Sequence, residues 1–234
     1  DQADFVNEII TGVDKKHMGV ELSTEYQATS SIKLIAAGSF GQFTYDNNPQ
    51  LYLQSESFTD ENSNFGISYL KNYRVSGTPQ RAYSLGFEYR DPNYWWFQTN
   101  ANLLSNNYLD ISPLLRTDNF YIDADGVPFV DDETGVEVTQ NLVDTLLKQE
   151  KFDAAFLVNI VGGKSWRINN SYLGIFAGIN NVLGEVFKTG GFEQSRNANY
   201  PELKQDKQLN KPIFGSKYWY GNDTSYYLNL YIRF

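Results

Sequence analysis

The chain contains no cysteine, one histidine and one methionine in 234 residues. Without cysteine there is no disulfide framework and no thiolate metal site, and His17 cannot by itself build a multi-histidine one. Long apolar runs are missing too. None approaches the ~20 residues of a spanning helix, so entry into a membrane would require strands closed into a barrel. Positive charge is scarce: 19 Lys and Arg stand against 28 Asp and Glu, a net charge of -9. That balance excludes nucleic acid as a partner, because phosphates are met by Lys and Arg. The opening Asp1-Gln2-Ala3-Asp4 is not a charged-then-greasy leader. An exported protein would have lost its leader, or the chain begins part-way into something longer.

Aromatics are abundant, with Tyr 17, Phe 16 and Trp 4 making 16% of the residues. They favour strands and interfaces. The mean hydropathy of -0.47 suits a membrane barrel, which reads as hydrophilic because every second strand residue faces a polar interior. Alternation predicts seven strands, near 18-28, 31-45, 79-90, 94-105, 152-165, 171-187 and 217-234, the last broken around Gly221-Asn222-Asp223. Their apolar positions include Val20, Leu22, Thr24 and Tyr26, then Leu34, Ala36, Gly38 and Phe40, then Tyr83, Leu85, Phe87 and Tyr89. Trp95, Phe97, Thr99, Ala101 and Leu103 follow, then Phe156, Val158 and Ile160, then Leu173, Ile175, Ala177 and Ile179. Residues 1–15 read as an entering loop, Leu51–Gln54 with Ile67–Val75 as a local hairpin, and Leu142–Lys148 as one or two helical turns.

The connections alternate. Ala28–Ser31, Asp91–Asn93 and Ser165–Asn170 are short turns, whereas 46-78, 106-150 and 190-216 are long and polar. Short-long alternation gathers the turns at one end and the loops at the other, as membrane barrels do. It predicts an all-β, antiparallel, up-and-down transmembrane barrel segment, a single partial domain spanning 1-234. Tyr94-Trp95-Trp96-Phe97 beside a turn reads as an interface girdle or as a buried aromatic core. Seven strands is an odd count, and single-chain bacterial barrels have even ones. Either further strands lie earlier in a larger barrel, or the count is off by one.

The last stretch, Thr224 to Phe234, puts Tyr226, Leu228, Leu230, Ile232 and Phe234 on one face and Ser225, Tyr227, Asn229, Tyr231 and Arg233 on the other. An alternating final strand with a terminal Phe resembles the assembly signal of bacterial outer-membrane β-barrels. The alternative for this stretch alone is the edge strand of a soluble sandwich.

Ser171 to Phe187, with Asn180-Asn181-Val182-Leu183-Gly184-Glu185-Val186-Phe187 after an alternating strand, resembles the penultimate strand of TonB-dependent outer-membrane receptors. Arg196 in the following polar loop fits, as does Arg90-Asp91-Pro92-Asn93-Tyr94-Trp95-Trp96 followed by Asn107-Tyr108-Leu109-Asp110, Pro113 and Arg116. The resemblance covers essentially the whole chain and is closest to the large nutrient importers. It implies the last seven strands of a 22-stranded barrel, with the plug domain absent from this chain. It implies TonB-dependent uptake of a nutrient or chelate, with the long loops outside and the C-terminus on the periplasmic side. The implied partners are outer-membrane lipid, the barrel assembly machinery, the TonB complex acting through that plug, and a surface lipoprotein.

No catalytic constellation stands out. Glu21, Glu25 and Glu88 fall on the polar faces, and His17 has no companion nucleophile, so no enzyme activity and no cofactor are expected. Asp123-Ala124-Asp125-Gly126 with Asp131, Asp132 and Glu133 is loop-like, but Tyr121 stands where a calcium loop needs its first acid, and no metal is expected. Trp96, Tyr218, Trp219, Tyr227 and Tyr231 are the candidate ligand contacts, able to stack on a sugar or grip an apolar substrate. Two other readings remain open: a complete small barrel of about eight strands acting as a passive porin or adhesin, and a soluble carbohydrate-binding β-sandwich.

Overall fold

The computed structural model describes residues 6–55, 63–194 and 198–234. Twelve strands and two short helices follow in order: β1 (Asn7–Thr11), β2 (Lys15–Gln27), β3 (Ile32–Tyr45), β4 (Gln50–Gln54), β5 (Ser63–Ile67), β6 (Arg81–Arg90), β7 (Trp95–Ser105), α1 (Gln140–Leu146), β8 (Ala155–Ile168), β9 (Ser171–Asn180), β10 (Lys188–Phe192), α2 (Tyr200–Lys207), β11 (Lys217–Tyr220) and β12 (Ser225–Arg233). Seven of them make one antiparallel sheet in the order β12-β9-β8-β7-β6-β3-β2. The all-β antiparallel expectation therefore holds. β2 and β12 pair on one side only, and the described residues form no closed barrel.

Cross-strand register decides which side chains share a face. Tyr26, Leu34, Phe87, Thr99, Ile160, Ile179 and Tyr226 lie on one ladder row. All seven apolar sets predicted from alternation therefore meet on the same side of the sheet. Among the residues of this face the charged ones are Lys16, Arg81 and Lys164, all toward strand ends. Lys164 reaches the Asn93 carbonyl beyond the sheet, carrying its charge toward the turn end. Two aromatic rows bracket an aliphatic middle. Phe40, Tyr83, Phe156 and Tyr226 lie toward the loops, and Tyr26, Tyr89, Trp95 and Trp166 toward the turns. The rings touch within each row: Phe40 and Tyr83 are 5.1 Å apart, Tyr89 and Trp95 4.9 Å.

That face is uncovered. Leu22 is 74% exposed, Leu85 66% and Leu230 68%. The buried apolar side chains among the described residues come from the connections; Ala155, at the start of β8, is the exception from the seven strands. Each large aliphatic left in water forgoes roughly 1.5–3 kcal/mol of burial. An apolar face this continuous is far larger than the patches that monomeric soluble proteins normally expose, and such faces mark contact with a partner or a membrane.

The ladder row also drifts. It starts one residue short of the turn end of β2 and finishes seven residues short of the turn end of β12. That drift is about one residue per strand. With ~3.3 Å per residue and ~4.8 Å between strands, the strands lean by roughly 35°, within the range of closed barrels.

Several predicted boundaries need correction. Residues 7–11 form β1, which pairs with β4, and β4 pairs with β5 at 63–67 and not with the 67–75 arm expected. The turn expected at Ser165–Asn170 is only Asn169-Asn170, because Ile168 still pairs with Ser171. The strand expected over 171-187 stops at Asn180. Asn181 turns left-handed (φ 49°), a conformation asparagine tolerates. Its side chain donates to the carbonyls of Glu185 and Asn222 and accepts from the Glu185 amide. The break expected near Gly221-Asn222-Asp223 is present, and it separates β11, in a ribbon with β10, from β12 in the main sheet. The 190-216 loop is not irregular throughout: it carries α2, closed by a capping box between Asn199 and Glu202.

Candidate functional site

The short turns lie at one end of the sheet and the three long connections, 46–80, 106–154 and 181–224, at the other. The connections share a core. Leu115, Phe120, Val138, Val143 and Leu147 of the second pack with Ala198, Tyr200 and Leu203 of the third. The second supplies α1 and the third α2, so two polar-looking loops hide one apolar cluster.

Arg116 ties all three together. It is 1% exposed. One guanidinium nitrogen donates to Glu193 Oε2 at 2.6 Å and to the Ser112 carbonyl at 2.9 Å. The other donates to Glu193 Oε1 at 3.0 Å and to the Leu147 carbonyl at 2.9 Å. The Tyr73 ring of the first loop lies 4.4 Å from the guanidinium. Burial alone would push the Arg116 pKa down, but the bidentate Glu193 carboxylate outweighs it and raises it.

Two further clasps join the second and third loops. Asp131, buried, accepts from Lys204 Nζ at 2.7 Å and Tyr200 Oη at 2.9 Å, and caps Thr134. Lys204 first, then Tyr200, holds the Asp131 carboxyl well below the usual carboxylate range. Glu150 accepts from Lys188 Nζ at 2.7 Å and Tyr218 Oη at 2.6 Å, and Lys188 stands 3.5 Å from the centre of the Tyr218 ring. Asp123, read above as part of a calcium-like loop, accepts instead from the Asp125 and Val127 amides of its own turn.

The five candidate contacts do not converge. Tyr218 and Trp219 sit on β11. Tyr218 is committed to Glu150, and Trp219 lies 6.0 Å from Phe192. Trp96, Tyr227 and Tyr231 lie on the polar face of the main sheet, laid over glycines of neighbouring strands. A Cβ at Gly178 would come within 2.2 Å of the Tyr227 ring, and one at Gly174 within 2.1 Å of Tyr231. Tyr231 Oη is 2.7 Å from Ser165 Oγ. These tyrosines fill spaces that only glycine leaves. Gly174→Val is therefore expected to lower stability by about 1–3 kcal/mol through overpacking, read as a drop in the heat-unfolding midpoint. Adding Tyr231→Ala should restore part of the loss; no restoration would show that the ring is not the obstacle.

On the same polar face Glu88 is paired with Lys33 at 3.3 Å and with Arg90, and His17 stacks on Phe43 at 4.8 Å. A trough of about 350 Å³ runs past Glu21, Ser39, Ser84 and Asn102. A second concavity of about 530 Å³ opens between the first and second loops. Of the assembly-signal residues, Tyr226, Leu228, Leu230, Ile232 and Phe234, all are exposed, and the four within β12 stand on the apolar face. Arg196 lies outside the described residues.

Sequence reasoning reached Arg116 only through a family pattern and missed Glu193, Asp131 and Glu150 as partners. A buried carboxylate in a polar loop leaves no periodic trace, so no signal marked them.

No protein-family model matches the chain, and no curated protein matches it. Among solved structures, the ferric preacinetobactin receptor BauA of Acinetobacter baumannii aligns with a TM-score of 0.38 and 11% identity, over 98% of this chain and 28% of that one. So slight a likeness carries no functional argument.

Proposed function

We propose that this chain is wall and outer-loop structure of an outer-membrane β-barrel that imports a nutrient or chelate, powered by TonB, and that it is not an enzyme. The seven strands belong to a barrel of 22, whose plug domain lies outside this chain. The supporting observation is the apolar face. Its continuity over all seven strands, its aromatic margins and the lean of the strands suit a lipid-facing wall. A soluble sandwich would need a second layer against that face, and the described residues supply none. The three clasped loops then stand outside, where ligand is captured, and the turns face the periplasm. Capture would be followed by plug movement driven from the inner membrane.

The cysteine-free sequence makes the topology easy to test. Asn210→Cys is expected to react with a membrane-impermeant maleimide on intact cells, and Ser30→Cys only after permeabilisation. Equal labelling of both would overturn the orientation. Deleting Phe234 should reduce the assembled protein at the cell surface severalfold, since the barrel assembly machinery would read the final strand. Surface levels equal to those of the unaltered protein would remove the assembly-signal role.

A further inference from the structure

The 530 Å³ concavity between the first and second loops is built differently from the rest of the molecule. The chain carries a net charge of -9, yet Lys71 and Lys148 both line this cleft, against a single acid, Asp144. Neither lysine is in an ion pair among the described residues. Asp144 accepts from the neutral Gln140 side-chain amide at 2.8 Å and keeps its charge, so the two lysines outnumber one carboxylate in the cleft. Tyr69 and Tyr73 contribute aromatic surface. Tyr73 is fixed from behind the cleft by the buried Arg116 guanidinium. The adjacent frame is rigid as well: Gln149 bridges the loops by accepting from the Arg74 amide at 2.8 Å and donating to the Arg74 and Leu109 carbonyls at 2.9 Å.

We infer that this cleft binds a small hydroxylated organic anion, with Lys71 and Lys148 meeting its carboxylate or phosphate and the tyrosines supporting its ring. The inference rests on the import reading and names the ligand class its outer loops would capture. Two unpaired ammonium groups beside aromatic rings favour such a ligand over a cation or a neutral alkane. Pockets of this size hold a small molecule through a few placed polar groups. Lysine suits a group whose geometry varies, since it acts as a flexible point charge and not as a planar fork. The net charge of -9 makes most of the surface unfavourable to an anion, so the two lysines of this cleft stand against that background.

The test uses the detergent-extracted native protein, titrated with glucose 6-phosphate, glucuronate and glucose. Both anions are expected to bind and glucose is expected to bind at least tenfold more weakly. In Lys71→Gln/Lys148→Gln the anions should lose at least tenfold in affinity. Raising salt from 20 to 150 mM should weaken binding to the unaltered protein several-fold and leave the double variant nearly unchanged. Both lysines are exposed and unpaired, so the unfolding midpoint should not move. Binding of neither anion, equal binding of glucose, or unchanged affinity in the double variant would each overturn the site. The labelling experiment above tests the import reading separately. A protein labelled only at its loops that binds no anion loses this site alone, whereas anion binding by a protein with the wrong labelling pattern keeps the site and removes the import reading.

Discussion

Leu85→Arg is expected to abolish assembly into the membrane, while Ser84→Arg, one position away, leaves it intact. The two residues occupy the middle of β6 and point to opposite faces: Leu85 pairs with Ala36 and Ala101 on the apolar side, Ser84 with Ala37 and Asn102 on the polar side. In water the first change would be nearly silent, because Leu85 is already 66% exposed and surface substitutions usually shift stability by less than ~0.5 kcal/mol. In hydrocarbon, an arginine at mid-depth on a barrel's outer face costs about 2–4 kcal/mol. The Ser84 position faces an open trough, where a long cation reaches water. Heat-modifiable mobility of membrane extracts on gels reads the outcome. Equal assembly of both variants would mean that the apolar face does not meet lipid.

Arg116→Met is expected to cost about 3–5 kcal/mol and to loosen the three loops as a block. Removing the guanidinium leaves the Glu193 carboxylate, only 12% exposed, without its partner, and an uncompensated buried charge is strongly destabilising. The Ser112 and Leu147 carbonyls lose their donors at the same time. The sheet shares little with this core, so the damage should stay local. Hydrogen exchange should quicken over 109–120, 140–152 and 190–194, and remain slow along β6 to β9. Pairing the change with Glu193→Leu should recover part of the loss, since the stranded charge goes too. A loss under about 1 kcal/mol for the single variant would show that Glu193 finds water or another partner, and that Arg116 is not the tie.

The contrast between these two residues explains what the sequence could reveal. Leu85 belongs to a period-two pattern, and pattern is sufficient to place a strand and its faces. Register then follows from the short turns, so the common apolar surface was legible in the sequence. Boundaries were not. Asn181 ends β9 through a side chain that brackets its own turn, and alternation running on to Phe187 conceals that stop. The loop core was invisible for another reason. Leu115, Val138, Val143 and Leu203 come from segments with no common period, and only folding brings them together. Aromatic residues were over-read in the same way: Tyr227 and Tyr231 looked like free contacts because their glycine seats, Gly178 and Gly174, lie some fifty residues earlier.

In the barrel proposed above, the drift of the ladder would have a geometrical outcome for its two rims. A strand leaning about 35° over roughly 25 Å travels roughly 15 Å sideways. That is between two and three strand widths. The rims are therefore out of phase, like the two ends of a twisted basket. A loop does not stand above the turns of its own strands but above turns belonging to strands two or three places round. In that barrel the 181–224 loop would continue down β9 and β12 to one arc of the periplasmic rim, while the turn directly beneath it would belong to other strands.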